Sequence, residues 1–263
     1  MKLEVHHIRA LKGVRQLTEL NVTDPDQARA AEEAGMDIVV SGRIDQRAAI
    51  RAAAPSTHFC FGLIYGHHVN TDQALRAAFD ALEAGADSIY CCLSPRIIGG
   101  LAREGVPVVG HVGLVPQKAR LTGFRAFGKT LAEAQAIWRD TRDLEQAGAV
   151  AVEMEVVAEP VATAIAHRTR MTVISMGSGA GCDVQYLFAV DVLGETVGKM
   201  PRHARTYADF ATEYARLQHQ RVAAFAAYRA AALDGSYPAA AELVAGNPAE
   251  TEAFRHWLAG LPA

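Results

Sequence analysis

Three stretches of the chain repeat one pattern: EEAGMDIVVSG at Glu32–Gly42, LEAGADSIYCC at Leu82–Cys92 and LEQAGAVAVEME at Leu144–Glu155. Each reads as the end of an amphipathic helix, then a glycine, then a short apolar run. Gly35, Gly85 and Gly148 are expected to take the left-handed position that stops the helix, where a residue without Cβ is least strained. The runs that follow are too short for helices and apolar on both alternating faces, as strands of a covered parallel sheet are. REGVPVVGH is a looser fourth copy, with Gly105 ahead of Val106–Gly110. Working outward, further strands are expected at Gln16–Val22, Phe59–Ile64, Met171–Ser175 and, least regular, near Phe188–Leu193. Helices are expected at Pro25–Ala34, Gln46–Ala53, Thr71–Ala84, Ile97–Arg103, Leu131–Ala147 and Glu159–Arg168. This β-then-α order, repeated about eight times, predicts an α/β chain folded as a (β/α)8 TIM barrel over residues 1–206. A doubly wound open sheet competes with it, but would carry a Gly-rich phosphate turn after the first strand. VTDPD at Val22–Asp26 has no glycine.

Residues 207–263 read as a C-terminal helical extension: a helix over about Tyr207–Leu233, a break at GSYP (Gly235–Pro238), and a shorter helix reaching Trp257. An apolar helix outside a closed barrel packs across a subunit interface or folds back over its own barrel, and both remain open. Composition removes other classes. With 50% hydrophobic against 21% charged residues the chain is not disordered, and a net charge of −3 without a basic block speaks against nucleic acid. The four cysteines have neither zinc-finger spacing nor disulfide-framework density. MKLEVHHIRALKG lacks an apolar signal region, so a cytoplasmic location is expected. The most apolar long stretch, Ala147–Ala166, holds Glu153, Glu155 and Glu159, too many carboxylates for a membrane span.

In such a barrel, chemistry belongs at the C-terminal ends of the strands. Counting from each helix-stop glycine (35 to 42, 85 to 92, 148 to 155) places Gly42/Arg43, Cys92 and Glu155 on one rim, with His111 at the same level. Asn21, Gly62–Tyr65, His67 and His68 join them from the first and third strands. Glu155 is the leading general-base candidate: strand alternation points Glu153 and Glu155 the same way, and burial raises a carboxyl's pKa unless a rim salt bridge satisfies it. Glu153, one layer deeper, is structural or functional on equal terms. His111 lies in VGHVGL, where glycines allow close approach of a ligand, or it is a satisfied rim histidine. His67 and His68 are neighbours whose side chains point apart, which makes a poor metal pair. Cys91 and Cys92 read as packing residues, with a rim nucleophile or soft ligand as the alternative. The Gly113–Lys129 connection carries Lys118, Arg120, Arg125 and Lys129 with no acid, as a lid over an anionic substrate or a solvated basic loop would. SMGSGAG at Ser175–Gly181 follows the seventh strand, where backbone N–H groups can hold a carboxylate or phosphate.

GHVGLVPQ (Gly110–Gln117), GFRAFG (Gly123–Gly128), AGAVAVEME, the glycine-rich turn leading to CDVQ (Cys182–Gln185), VLG (Val192–Gly194), PRHARTY (Pro201–Tyr207) and GSYP together resemble ketopantoate hydroxymethyltransferase. The resemblance runs from about Thr18 to Pro238. It implies a barrel of the phosphoenolpyruvate mutase/isocitrate lyase kind, a homo-oligomer, and enolate chemistry on a 2-oxo acid. It also implies methylenetetrahydrofolate as one-carbon donor and Mg²⁺ as the ion that holds the oxo acid. The family's general-base glutamate falls on Glu155 and its substrate-side histidine on His111.

The family's acidic metal ligands at the ends of strands two, three and four fall on Arg43, Gly62 and Cys92, its strand-four lysine on Tyr90 and a serine on Ile44. No acid remains at those positions for a hard cation, and Asp45 could serve only if the register slips. Mg²⁺ is therefore not expected in the usual way, and no metal ligands are assigned. Arg43 is expected to replace the cation by gripping carboxylate and carbonyl oxygen together. The expected catalytic set is Glu155, His111 and Arg43. Tyr90, Cys92, Gly62, Ser175, Ser178 and Arg125 are expected around the substrate. The expected function is formation or cleavage of a C–C bond beside the carbonyl of a 2-oxo acid. The alternatives are a non-catalytic ligand-binding barrel, a lyase or hydrolase using Cys92, and a new metal site built from His67, Cys92 and His111.

Overall fold

A computed structural model describes residues 2–262. Strands β1 (Leu17–Asn21), β2 (Ile38–Ser41), β3 (His58–Gly62), β4 (Ser88–Tyr90), β5 (Val108–Gly113), β6 (Ala151–Glu155), β7 (Thr172–Met176) and β8 (Val184–Phe188) pair in chain order, all parallel, and β8 closes onto β1. Helices α1 (Val5–Ala10), α2 (Pro25–Glu33), α3 (Arg47–Ala53), α4 (Thr71–Glu83), α5 (Pro95–Arg103), α6 (Ala119–Thr122), α7 (Leu131–Ala147), α8 (Glu159–Arg168) and α9 (Ala189–Val192) complete the barrel unit. The chain is a (β/α)8 barrel with extra C-terminal helices. Gly35, Gly85 and Gly148 have φ of 77°, 93° and 98°, the left-handed stop that lets a helix turn straight into the next strand. Alternation on β6 does the rest: Met154 is buried in the layer between barrel and helices, while Glu153 and Glu155 face inward.

Three features differ from the pattern. The eighth strand lies at Val184–Phe188 rather than Phe188–Leu193, whose first residues after Phe188 form the single turn α9. Val184 and Tyr186 are buried in the barrel's inner cluster and Phe188 packs against it, so the polar Gln185 between the first two masks a strand whose inward face is apolar. No helix joins β7 to β8. Residues 177–183 instead form a strap of bends and turns, with Gly177 and Gly179 at φ 69° and 96°, that returns the chain from the end of β7 to the start of β8. The strap lies so close to α8 that a Cβ on Gly179 would strike Glu159 and one on Gly181 would strike Thr163. Finally, α1 places Ile8 against the inner cluster of the barrel at the end opposite the rim.

A void of about 30 Å³ beneath α1, lined by Glu19, His58, Ser88 and Thr172 among others, is too small for a substrate. His58 there donates through Nδ1 to the Leu3 carbonyl (2.8 Å) and accepts from Ser88 Oγ (2.9 Å), and burial lowers its pKa.

The chain divides into two compact units, one ending at Asp209 and one beginning at Phe210. The second contains α10 (Phe210–Asp234) and α11 (Pro248–Ala259), and α10 has no buried residue, leaving Phe225 and Tyr228 exposed. No helix among the described residues is long and apolar enough to cross a membrane.

Candidate active site

The strand end that carries Glu155 is clamped from both sides. Leu114 N–H on the β5 side donates to the Glu155 carbonyl (2.8 Å), and Val156 N–H donates to Met176 on β7 (2.8 Å). The next residue, Val156, has φ of 53°, a left-handed backbone that is strained for a β-branched side chain. Phe127 closes the clamp, donating to Val156 (3.0 Å) and accepting from Ala158 (2.9 Å). Such over-determined strain holds a side chain where relaxed backbone would not.

His111 pairs in register with Glu153, and Gly113 with Glu155, so the imidazole stands between two carboxyl groups. Its Nδ1 is 3.6 Å from Glu153 Oε2 and its Nε2 3.4 Å from Glu155 Oε2. The closer partners are neutral: Tyr90 Oη at 2.7 Å from Nδ1 and the Leu114 carbonyl at 2.9 Å from Nε2. A carbonyl only accepts, so Nε2 carries the proton and Nδ1 receives the Tyr90 hydroxyl. An imidazolium in this dry setting would be expected to close on a carboxylate to about 2.7–2.9 Å, so the longer distances mark a neutral ring.

The glycines around His111 serve packing. A Cβ on Gly110 would meet Leu144 of α7 at 2.8 Å, and one on Gly113, at φ 85°, would collide with the Glu155 carbonyl. Glu153 is fully inside. Burial, reinforced by Glu19 and then Glu155, pushes its pKa well above the carboxylate range. Glu19 on β1, which the sequence did not single out, is raised by burial as well, and its Oε2 has no protein hydrogen-bond partner. A lone acid on the same face as Leu17 was the available signal.

The remaining expected residues fall as follows. Arg43 lies just beyond β2, half exposed, with its guanidinium forked onto Asp45 (3.1 and 2.9 Å); that pairing holds the Asp45 carboxyl down at about 2. Gly62 ends β3, where its absent Cβ would sit 3.6 Å from the Tyr90 ring. Cys91 and Cys92 are buried; burial pushes the first thiol up to about 11 and raises the second. Ser175 and Ser178 form a clip: Ser178 N–H donates to Ser175 Oγ (3.1 Å), Ser178 Oγ donates to the Met154 carbonyl (2.7 Å) and accepts from Val157 N–H (3.0 Å). These bonds tie the strap to the end of β6.

Arg125 is exposed, paired with Glu133 of α7 at 2.6 Å and lying 4.3 Å over the Phe127 ring. With Lys118, His111 and Gly113 it lines a cavity of about 440 Å³ between the β5–α7 segment and α7, within the usual size for small-molecule sites. That segment is partly folded, with a 3₁₀ turn at Pro116–Lys118 followed by α6. His67 and His68 lie on the loop after β3 with rings 6.4 Å apart and inclined at 67°.

The donor set does not suit a divalent cation. The ends of β2, β3 and β4 present Arg43, Gly62 and Cys92, and no group of three His, Cys, Asp or Glu side chains among the described residues could hold a metal. The new site imagined from His67, Cys92 and His111 is likewise not assembled.

Residues 43–240 match the family model for ketopantoate hydroxymethyltransferase. The chain is 35% identical over 190 residues to the 3-methyl-2-oxobutanoate hydroxymethyltransferase of Chloroflexus aurantiacus, a match covering 71% of this chain and 65% of that relative, just under two thirds of its length. It is 31% identical over 265 residues to the Pyrococcus furiosus protein of the same name, with 88% of each covered. Among solved structures it is similar to a phosphonopyruvate hydrolase in complex with oxalate and Mg²⁺ (TM-score 0.55, 15% identity, 98% of both chains). It is also similar to 2,3-dimethylmalate lyase of the PEP mutase/isocitrate lyase superfamily (TM-score 0.54, 13% identity, 72% of this chain and 82% of that one). At these identities the structural likeness is one of fold.

Proposed function

Because this chain belongs to the ketopantoate hydroxymethyltransferase family, we propose that it makes or breaks the C–C bond beside the carbonyl of a 2-oxo acid, through an enolate formed without a divalent cation. The observation that carries this reading is the clamped Glu155 carboxyl beside the Nε2–H of His111, at 3.4 Å, on the rim of the barrel. The Glu155 carboxylate takes the C3 proton of the oxo acid. The C–H electrons move into the C2–C3 bond and the carbonyl π electrons onto oxygen, giving the enolate. C3 then attacks a one-carbon electrophile, or the steps run in reverse for cleavage. The oxyanion needs positive charge or donors close by. His111 supplies a donor, and Arg43 is assigned to the carboxylate and oxyanion, with a fork that matches both.

Methylenetetrahydrofolate, the family's one-carbon donor, belongs to this proposal, and the glutamyl carboxylates of such a donor would meet Lys118 and Arg125. A homo-oligomer is part of the same reading. Tyr90 and Gly62 are assigned to the wall of the substrate pocket, where Cys92 is a packing residue, since its raised pKa disfavours the thiolate a nucleophile needs.

The test is deuterium exchange at C3 of a panel of 2-oxo acids, followed by NMR. Exchange from at least one is expected. Arg43→Ala should raise KM for that acid roughly 10–100-fold, the worth of a charge-assisted contact, with a smaller change in kcat. Asp45→Asn, which frees the guanidinium, should lower KM. An unchanged KM in Arg43→Ala removes Arg43 from the site. The fork onto Asp45 favours the second reading, a ligand-binding barrel without catalysis, and failure of every oxo acid to exchange would select it.

A further inference from the structure

Glu153 is a buried acid for which the proposed reaction has no use. Among the described residues no cation stands opposite it. The titratable side chains that face it are Glu19 from β1, Cys60 from β3, Tyr90 from β4 with Cys92 just beyond, His111 from β5, its own neighbour Glu155, and Tyr186 from β8. Its burial and the two further carboxyls in that list favour the neutral acid in the resting site. Its Oε2 nevertheless lies 3.6 Å from Nδ1 of His111, whose opposite nitrogen looks toward the carboxylate that is to act as base. The site therefore holds a proton next to the ring, while the cation assigned to the oxyanion, Arg43, is paired with Asp45 and its charge partly offset.

We propose that Glu153 lends its proton to His111 as the enolate forms, so that an imidazolium takes the place of the divalent cation at the rim. The inference rests on the proposed enolate chemistry. In the step, the Glu153 O–H bond breaks and an Nδ1–H bond forms. Tyr90 turns from donating to Nδ1 to accepting from it, or relays the proton by passing on its own. The ring becomes cationic, and the negative charge left on Glu153 is one layer below the oxyanion rather than beside it. When the enolate is consumed the proton returns to Glu153, so no external acid is needed. The 3.6 Å gap has to close to hydrogen-bond distance for transfer, as acid–base contacts commonly do on substrate binding. Glu153 acts through His111 and is a positioning residue, not one that touches substrate.

Glu153→Gln keeps the shape and the hydrogen-bonding edge but has no proton to give. In the exchange assay it should lower kcat by about 10²-fold, the size of a lost oxyanion donor, while KM stays within a few fold. Oxalate, a planar analogue of the enolate, should turn His111 into the imidazolium in wild type, read from its two ¹⁵N shifts, and leave it neutral in Glu153→Gln. Wild-type kcat in the variant, or the same His111 charge state with oxalate in both proteins, overturns the inference while leaving the enolate reading in place. Wild type that exchanges no oxo acid brings down that reading and this inference together.

Discussion

Glu155→Gln lowers C3 exchange by about 10²–10⁴-fold, the range a positioned general base contributes, and leaves the barrel folded. The amide fits the same volume and can accept from Nε2–H of His111 at the 3.4 Å now separating that nitrogen from Oε2. It cannot take a proton from carbon. KM for the oxo acid should change little, because the carboxylate is asked to act on the C–H bond and not on the acid's own charge. An equal fall in kcat and kcat/KM is the signature of an interaction made only in the transition state. A residual rate within tenfold of wild type would move the base elsewhere, and Glu153 is too deep to take its place.

Gly113→Ala should damage the fold and the site together. At φ 85° the alanine side chain is in a region that costs about 1–2 kcal/mol before any contact is counted. The added Cβ would also collide with the Glu155 carbonyl and sit 2.7 Å from Val157 Cγ2. Overpacking of that kind adds about 1–3 kcal/mol. A total loss near 2–5 kcal/mol would appear as a lowered denaturation midpoint with unchanged slope. Relief of the clash parts β5 from β6 where Leu114 N–H meets Glu155, and carries the Leu114 carbonyl away from His111. Misplacement by about 1 Å is enough for roughly 10²-fold in kcat. Stability and exchange both within error of wild type would mean that the clamp on Glu155 does not matter.

Much of this arrangement was legible because it repeats. A helix, a stop glycine and an apolar run recur, and alternation within VEME already separates Met154 from the two acids. The β7–β8 strap was not legible, because a glycine-rich run that follows a strand reads equally as an anion-binding turn, and only the distance to the start of β8 tells them apart. The inward set Val184, Tyr186 and Phe188 was hidden by the polar Gln185 between the first two. Inside the site, Glu155 stood out as a carboxylate ending an apolar strand, whereas Glu19 offered only the weak signal of a lone acid on the face of Leu17. Its importance comes from Glu153 across the barrel, which no local window contains. The Leu114 carbonyl that sets the His111 tautomer has no side-chain signature at all, and neither does the strained backbone of Val156. The nearness of Asp45 to Arg43 was visible in the sequence, but that the pair would fork together was not.

Enolisation of a 2-oxo acid by this barrel is proposed to need no divalent cation. The most direct test is the C3 exchange rate of wild-type protein on its best oxo acid, measured once in excess EDTA and once in saturating Mg²⁺. Equal rates are the predicted result, since Arg43, Gly62 and Cys92 offer no hard oxygen donors at the strand ends. Exchange that vanishes in EDTA and returns with Mg²⁺ would overturn metal-independent enolisation and place a metal ion on strand ends that carry no acidic donor.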